Sequence, residues 1–142
     1  RSPSRGLGDV YKRQIQSMQT RQFENNYDVV FRSVVSVFQD LGYTIQDADK
    51  VTGFIQANSA ASSNDMLKLW TGATESTHTK ATAIVEQIGT QVHVRISFVI
   101  STDSSTAYGA DTRNEKPVLN VDVYQNAFEK IDNAIFVRSA ST

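Results

Sequence analysis

The segment Asn25–Gly42 constrains the fold most, because a helical pattern coincides there with a start signal and a stop signal. Its apolar residues recur at spacings of three and four, so they fall on one face of a helix. That face holds Tyr27, Val30, Phe31, Val34, Val35, Phe38 and Leu41, while Asp28, Arg32, Ser33, Gln39 and Asp40 lie largely on the other. The valines among them form helices poorly on their own, so we expect the helix to pack on a sheet.

Both ends of this helix carry capping chemistry. Asn25 or Asn26 can offer a side-chain oxygen to an unpaired backbone N–H of the first turn. Gly42 can end the helix in the left-handed conformation, which costs glycine no Cβ contact. Tyr43 then follows and can fold back onto Phe38. Asp40 is oddly placed, since a helix C-terminus prefers cations.

Composition predicts one soluble globular domain. The chain has 142 residues, of which 39% are hydrophobic and 20% charged. It is therefore neither disordered nor rich enough in apolar runs to span a membrane. The chain has no cysteine, which excludes disulfides and thiolate metal sites.

Residues 1–14, RSPSRGLGDVYKRQ, differ in character from the rest. They resemble the translated sequencing-adapter scar that begins many metagenome-derived reading frames, and we expect them to be non-native. The other interpretation is a basic arm for nucleic acid. Residues 15–142, the expected single domain, carry 10 basic and 14 acidic residues, a net charge of −4. That balance argues against a nucleic-acid surface, which needs clustered cations.

The remaining pattern predicts an α+β two-layer sandwich, an antiparallel sheet with two helices on one face in the order β-α-β-β-β-β-α. We expect an edge strand at Met18–Glu24 and a hairpin of strands 43–48 and 54–57, joined by a turn from Asp49 to Gly53. A second hairpin joins strands 80–88 and 91–101 through Gly89-Thr90. The final helix runs from Tyr124 to about Arg138, capped by Asn120 or Asp122. Segments 58–79 and 102–119 read as polar loops, and the inward face of strand 80–88 stays open.

No motif in the chain predicts catalysis, a metal or a cofactor. His78 and His93 could join Glu75 or Glu86 at a metal, but no metal-ligand spacing is present. The serine-rich segments lack a GxSxG elbow, and no glycine-rich phosphate loop exists. Asp40, Asp47 and Asp49 cluster without a calcium-binding loop. We therefore expect a protein that is not an enzyme, with no catalytic residue, metal ligand or cofactor.

One apolar cluster interrupts the first polar loop, and it is the candidate partner contact. It consists of Met66, Leu67, Leu69 and Trp70, in a possible helical turn capped by Asn64 or Asp65. One interpretation is a short helix that covers an end of the core, because a large apolar patch in water is uncommon. The other is a partner anchor, since Trp is enriched among residues that dominate binding energy.

Several motifs resemble a family of small Gram-negative envelope lipoproteins of undetermined function. They are the segments 20–23 (TRQF), 37–45 (VFQDLGYTI) and 53–57 (GFIQA), with a last helix containing Tyr124, Phe128, Ile131, Ile135 and Phe136. The layout is also similar to the helix-grip domains of BamC-type lipoproteins of the outer-membrane barrel-assembly machinery. The resemblance implies export to the periplasm and a lipid anchor on an N-terminal cysteine. This chain has no such cysteine, and a start replaced by adapter sequence would explain that.

These observations favour a non-enzymatic periplasmic domain, anchored at the outer membrane, that acts through contacts with an envelope protein. The alternative is a helix-grip-like module that binds a small apolar ligand between helices and sheet. A hydrolase is a more distant alternative. Space left above Ala57, Ala81 and Ala83 would favour the ligand, whereas a filled core would favour the contact module.

Overall fold

The computed structural model describes residues 14–59, 62–63, 74–105 and 111–140. An antiparallel sheet and two long helices on one of its faces make up an α+β two-layer sandwich. Residues 14–19 are helical (α1). The following helices are α2 (Tyr27–Asp40) and α3 (Val121–Ala140). The strands are β1 (Thr20–Phe23), β2 (Tyr43–Asp49), β3 (Phe54–Ser59), β4 (Ser62–Ser63), β5 (Thr74–Ile88), β6 (Gln91–Ser105) and β7 (Asp111–Pro117).

The strand order is β1-β6-β5-β3-β2, with two further strands beside it. β5 pairs with β6 over the whole length of both strands. β1 pairs with residues 92–95 of β6 and β7 pairs with residues 99–105, so these two strands share one edge of β6. β4 pairs with β5 beyond the end of β3. The long β5–β6 hairpin is therefore the centre of the sheet.

α2 forms as its sequence predicts. The Asn26 side chain accepts a hydrogen bond from the Asp28 backbone N–H at 2.8 Å and caps the first turn. Gly42 has a φ of +94°, and the Phe38 and Tyr43 rings lie 6.0 Å apart between centroids. Ser33, expected on the exposed face, is fully buried, and its hydroxyl donates to the Val29 carbonyl at 2.7 Å. A small side chain can sit at a helix contact because the backbone satisfies its hydroxyl.

The first predicted strand is shorter than expected. Met18–Glu24 was assigned to one edge strand, but residues 14–19 are helical and only Thr20–Phe23 pair with β6. The polar and apolar residues of that stretch fit a strand and a helix almost equally well, and tertiary packing decides between them. Met18 packs against the core from the helical side of the boundary.

The two predicted loops are also partly wrong. Within 58–79, β3 continues to Ser59, β4 adds two residues, and β5 begins at Thr74. Within 102–119, β6 continues to Ser105 and β7 follows. β7 has the sequence DTRNEKP, which is charged and ends in proline, so composition favours a loop. It is a strand because β6 presents an open edge there.

The core lies between the sheet and the helices. Ala81, Ala83 and Val85 face inward on β5, which settles the face that the sequence left open. The predicted alternation of β6 holds from Val92 to Phe98. The inward chains of the sheet meet those of the helices in one cluster, whose largest fully buried members include Tyr124, Phe38, Phe128, Ile55, Ile96 and Ile131. α2 and α3 run antiparallel, as the hydrogen bond from Asn25 Nδ2 to Ser139 Oγ at 3.0 Å indicates.

Candidate functional site

The candidate partner contact of the sequence, Met66, Leu67, Leu69 and Trp70, lies outside the described residues. Its role as a partner anchor therefore stays a prediction. The same holds for the helical turn proposed there and for residues 1–13 of the expected adapter-derived segment.

The two histidines do not come together. His78 pairs with Ser101, whereas His93 pairs with Glu86, eight residues further along β5. At about 3.4 Å per residue, that separation is roughly 27 Å. In the ranges 14–59, 62–63, 74–105 and 111–140, no three His, Asp or Glu side chains lie close enough together to hold a metal ion.

No space for a ligand remains above the small residues of the sheet. Ala57, Ala81 and Ala83 are fully buried, with no surface exposed to a water-sized sphere. A cavity that held even one water would leave its lining atoms accessible. The core above these alanines is therefore filled by side chains of the helices, which approach closely because the alanines are small.

The described surface does carry a groove between α2 and α3, which we call the interhelical groove. It has a volume of ≈ 280 Å³ and is lined by Ser36, Val37, Asp40, Lys130, Asn133, Ala134, Val137 and Arg138. Val37 forms part of its floor and is only 2% exposed, whereas Val137 on its rim is 57% exposed. The preceding residue of α3, Phe136, is 71% exposed. These two adjacent apolar side chains therefore lie outside the core.

The charges of the interhelical groove are not paired with opposite charges within the described ranges. Among the described residues, Asp40, Lys130 and Arg138 have no ion-pair partner within 4.0 Å. Arg138 donates only a long hydrogen bond, 3.4 Å, to the carbonyl of Ala134. Asp40 ends α2, whose last turn carries no basic residue. The helix dipole places partial negative charge at that end, so Asp40 adds to it rather than opposing it.

The wall formed by α3 is fixed to the sheet by polar contacts. Arg21 Nη1 lies 2.9 Å from Asp132 Oδ2, and the Arg21 guanidinium stands 5.1 Å from the centre of the Phe128 ring. The Tyr124 hydroxyl donates to the Val118 carbonyl at 2.7 Å and accepts from the Phe98 N–H at 3.2 Å. The Tyr124 hydroxyl thus binds the backbone of β6 at Phe98, between the segments of β6 that pair with β1 and β7.

The wall formed by α2 is fixed at its first turn. Lys50, in the β2–β3 turn, forms an ion pair with Asp28, and the Tyr27 hydroxyl donates to the Lys50 carbonyl at 2.7 Å. Hydrogen bonding to Lys50 lowers the pKa of Asp28, against a smaller opposing effect of desolvation. Burial raises the pKa of Tyr27, and the charge of Asp49 raises it further. Both walls of the groove are therefore held in place by groups away from it.

At the far end of the helices, Tyr43 lies between the core and solvent. Burial raises the pKa of Tyr43, while hydrogen bonding with the Thr79 side chain lowers it. Tyr43 packs against Phe98, with ring centroids 6.0 Å apart. This tyrosine closes the core where the helical layer ends.

No model of a protein family matches the chain, and no curated protein shows significant similarity to it. No helix in the described ranges is long and apolar enough to cross a membrane. Sequence reasoning identified Asp40 as misplaced but missed the groove around it. A signal in the sequence was the adjacent apolar pair Phe136-Val137, of which Val137 lines the groove.

Proposed function

We propose that this domain is a non-enzymatic contact module of the Gram-negative cell envelope. In this proposal it lies in the periplasm, is held at the outer membrane by a lipid anchor, and acts by binding an envelope protein. The resemblance of segments 20–23, 37–45 and 53–57 to envelope lipoproteins supports the location. The exposed pair Phe136 and Val137 supports the contact role.

The exposed pair is the observation that carries the proposal. Burying an apolar side chain stabilises a protein by roughly 1.5–3 kcal/mol, so leaving two exposed forgoes stability. Aromatic and aliphatic side chains that lie beside a polar rim commonly mark binding surfaces. Lys130 and Arg138 supply such a rim next to Val137.

The alternative function, binding of a small apolar ligand, would need space between helices and sheet. Ala57, Ala81 and Ala83 have no exposed surface, so that space would have to open by separating the two layers. Such an opening would break the packing of the main core. The contact module requires no such change.

Site-specific photocrosslinking tests the contact role. A photoreactive amino acid replaces Phe136 in the complete gene expressed in a Gram-negative cell, and a control variant carries it at Arg95. Arg95 is exposed on the opposite face of the sheet. A discrete adduct to one envelope protein is expected from position 136 and not from position 95. Equal labelling from both positions, or no adduct from either, would contradict the proposal.

Cell fractionation tests the location separately. The complete gene product is expected in the outer-membrane fraction, and it should be released when the cysteine that follows its signal peptide is replaced by serine. A product found in the cytosol without a signal peptide would overturn the location. The photocrosslinking result would still decide whether the domain is a contact module.

A further inference from the structure

We propose that the interhelical groove binds an amphipathic helix of the partner, with acidic side chains facing Lys130 and Arg138 and a basic side chain facing Asp40. The inference rests on the proposed contact function and states which surface and which partner chemistry serve it. It is carried by three observations: the shape of the groove, its unpaired charges and the protected edges of the sheet.

The shape of the groove suits side chains of a macromolecule. Small-molecule pockets usually enclose roughly 300–1,000 Å³ and bury most of their ligand. The interhelical groove, at ≈ 280 Å³, lies at the lower end of that range, and it is open to the surface between the two helices rather than enclosed. Two antiparallel helices with accessible apolar side chains between them, here Ala134 and Val137, accept the apolar face of a third helix.

The charges of the groove define the partner's polar flanks. Lys130 and Arg138 stand on the α3 wall, and Asp40 stands on the α2 wall. A basic partner residue beside Asp40 would meet both its carboxylate and the negative end of the α2 dipole. Acidic partner residues would meet the two cations of α3. Charge arrangements of this kind select partners mainly by repelling the wrong ones.

The edges of the sheet disfavour an extended peptide as the partner. β2, one edge strand, carries Asp47 and Asp49 and a bulge between Ile45 and Asp47. On the other edge, β7 is charged and ends in Pro117, and β1 is only four residues long. Charges, bulges and proline are the features that prevent strand addition at a sheet edge. A helix in the groove therefore fits the surface better than a strand on the edge.

Selection from a peptide library tests the inference. A displayed library of 18-residue helix-forming peptides, randomised among Ala, Leu, Gln, Glu and Lys, is selected on the immobilised 142-residue chain. Affinities of the recovered peptides are then measured by fluorescence anisotropy. The groove variant is K130E/R138E, and the matched control is R95E, which reverses a charge on the opposite face of the sheet. Circular dichroism checks that each variant is folded.

The expected result is a set of acidic amphipathic peptides that bind K130E/R138E at least about tenfold more weakly, because like charges then face each other. Their binding to R95E should stay within about twofold of the unmodified chain, and D40K should weaken peptides that carry a lysine opposite it.

Three outcomes would overturn the inference. They are recovery of no helical binder, equal weakening by R95E, or self-association of the chain that K130E/R138E abolishes, which would make a second copy the occupant. None of these changes the adduct expected at position 136 from an envelope protein. The docking inference and the proposed function can therefore fail independently.

Discussion

The central β5–β6 hairpin has two parts with different environments, one covered by the helices and one that extends beyond them. Under the helices, Ala81, Ala83, Ile96 and Phe98 are at most 2% exposed. Beyond them lies the distal ribbon, which we define as residues 74–79 of β5, residues 100–105 of β6 and β7. Ile100 continues the inward alternation of β6 into the ribbon, yet it is 40% exposed. Alternation shows toward which face of the sheet a side chain points, but it does not show whether the helices cover that face.

An aromatic cluster marks the boundary between the two regions. The rings of Phe38, Tyr43, Phe98 and Tyr124 pack in tilted pairs with centroids 5.3–6.3 Å apart. Before this cluster the strands carry alanine, valine and isoleucine inward. Beyond the cluster, the inward positions of β5 and β6 include threonines, as in the cross-strand pair Thr77 and Thr102. No described hydrophobic side chain of the distal ribbon belongs to the core, although the Ser101 side chain is fully buried.

The largest expected difference between the two regions comes from truncating one side chain in each. Phe38→Ala removes a fully buried ring and should lower the free energy of unfolding by about 3–5 kcal/mol. Thr102→Ala in the distal ribbon should change it by no more than about 0.5 kcal/mol. Urea denaturation of both variants measures the contrast, and equal losses would show that the ribbon is part of the same packed unit.

Two glycines with positive φ, Gly53 and Gly42, extend the comparison, because one lies against a neighbouring strand and the other lies in open space. A Cβ at Gly53 would overlap the Val85 carbonyl oxygen, whereas a Cβ at Gly42 would have no neighbour within 4 Å. Gly42→Ala should therefore cost only the backbone strain, about 1–2 kcal/mol. Gly53→Ala should cost more than about 3 kcal/mol, because the β3–β5 contact must also shift. Urea midpoints that place the two variants in the opposite order would contradict the structure.

Tyr124→Phe tests the contact at the boundary. Loss of the hydroxyl leaves the Phe98 N–H and the Val118 carbonyl without this partner, at a cost of about 1–3 kcal/mol. Hydrogen exchange at the Phe98 amide should accelerate more than exchange in β3. Tyr43→Phe is the control, because Tyr43 is only partly buried and its loss should be smaller. An unchanged Phe98 exchange rate would mean that the hydroxyl does not support this edge.

Trp70→Ala tests the contact expected from the sequence in the segment between β4 and β5. If Trp70 is a partner anchor, its replacement should leave the free energy of unfolding within about 0.5 kcal/mol. As the sole tryptophan, it should then emit at long wavelength and be quenched by iodide. Short-wavelength emission, resistance to iodide and a loss of about 3 kcal/mol on truncation would identify a core residue instead.

The smallest expected effect concerns pH at the first turn of α2. The pKa of Asp28 is lowered in the folded state from its usual 3.8, chiefly by hydrogen bonding to Lys50. Its stabilising contribution is therefore present above pH 3.8 and is lost as the pH falls through the lowered value. The difference in urea midpoint between the unmodified chain and Asp28→Asn should shrink over that acid range. In a double-mutant cycle, Lys50→Met should have little further effect on Asp28→Asn, and full additivity would contradict the pairing.

Elements with local chemistry were predictable from sequence. α2 has its cap at Asn26 and its stop at Gly42, and the β2–β3 turn has Asp49 and Gly53 where they were expected. Elements that depend on a neighbour were not. β7 looked like a loop because nothing in DTRNEKP predicts a strand until an open edge of β6 is available. Met18 and Gln19 were expected to begin a strand, but they belong to the helix α1, which lies beside α3.

For the candidate site, the sequence showed the components but not their arrangement. Asp40 was recognisable as an acid at the wrong end of a helix, and Phe136-Val137 as an adjacent apolar pair. Lys130 and Arg138 are ordinary surface cations until α3 lies antiparallel to α2 and brings them to the same groove as Asp40. Ser33 was expected in solvent because helical periodicity assigns polar residues to the exposed face, yet its side chain is fully buried.

By itself, the sequence determined the α+β class, the apolar stripe of α2, the alternation of β6 from Val92 to Phe98, and the turns at Gly42, Gly53 and Gly89, because periodicity and backbone preference act over a few neighbouring residues. The tertiary structure alone decided the inward face of β5, the length of the distal ribbon, the strand at β7 and the interhelical groove. These features depend on which surfaces meet, and burial of apolar area between segments distant in sequence determines that.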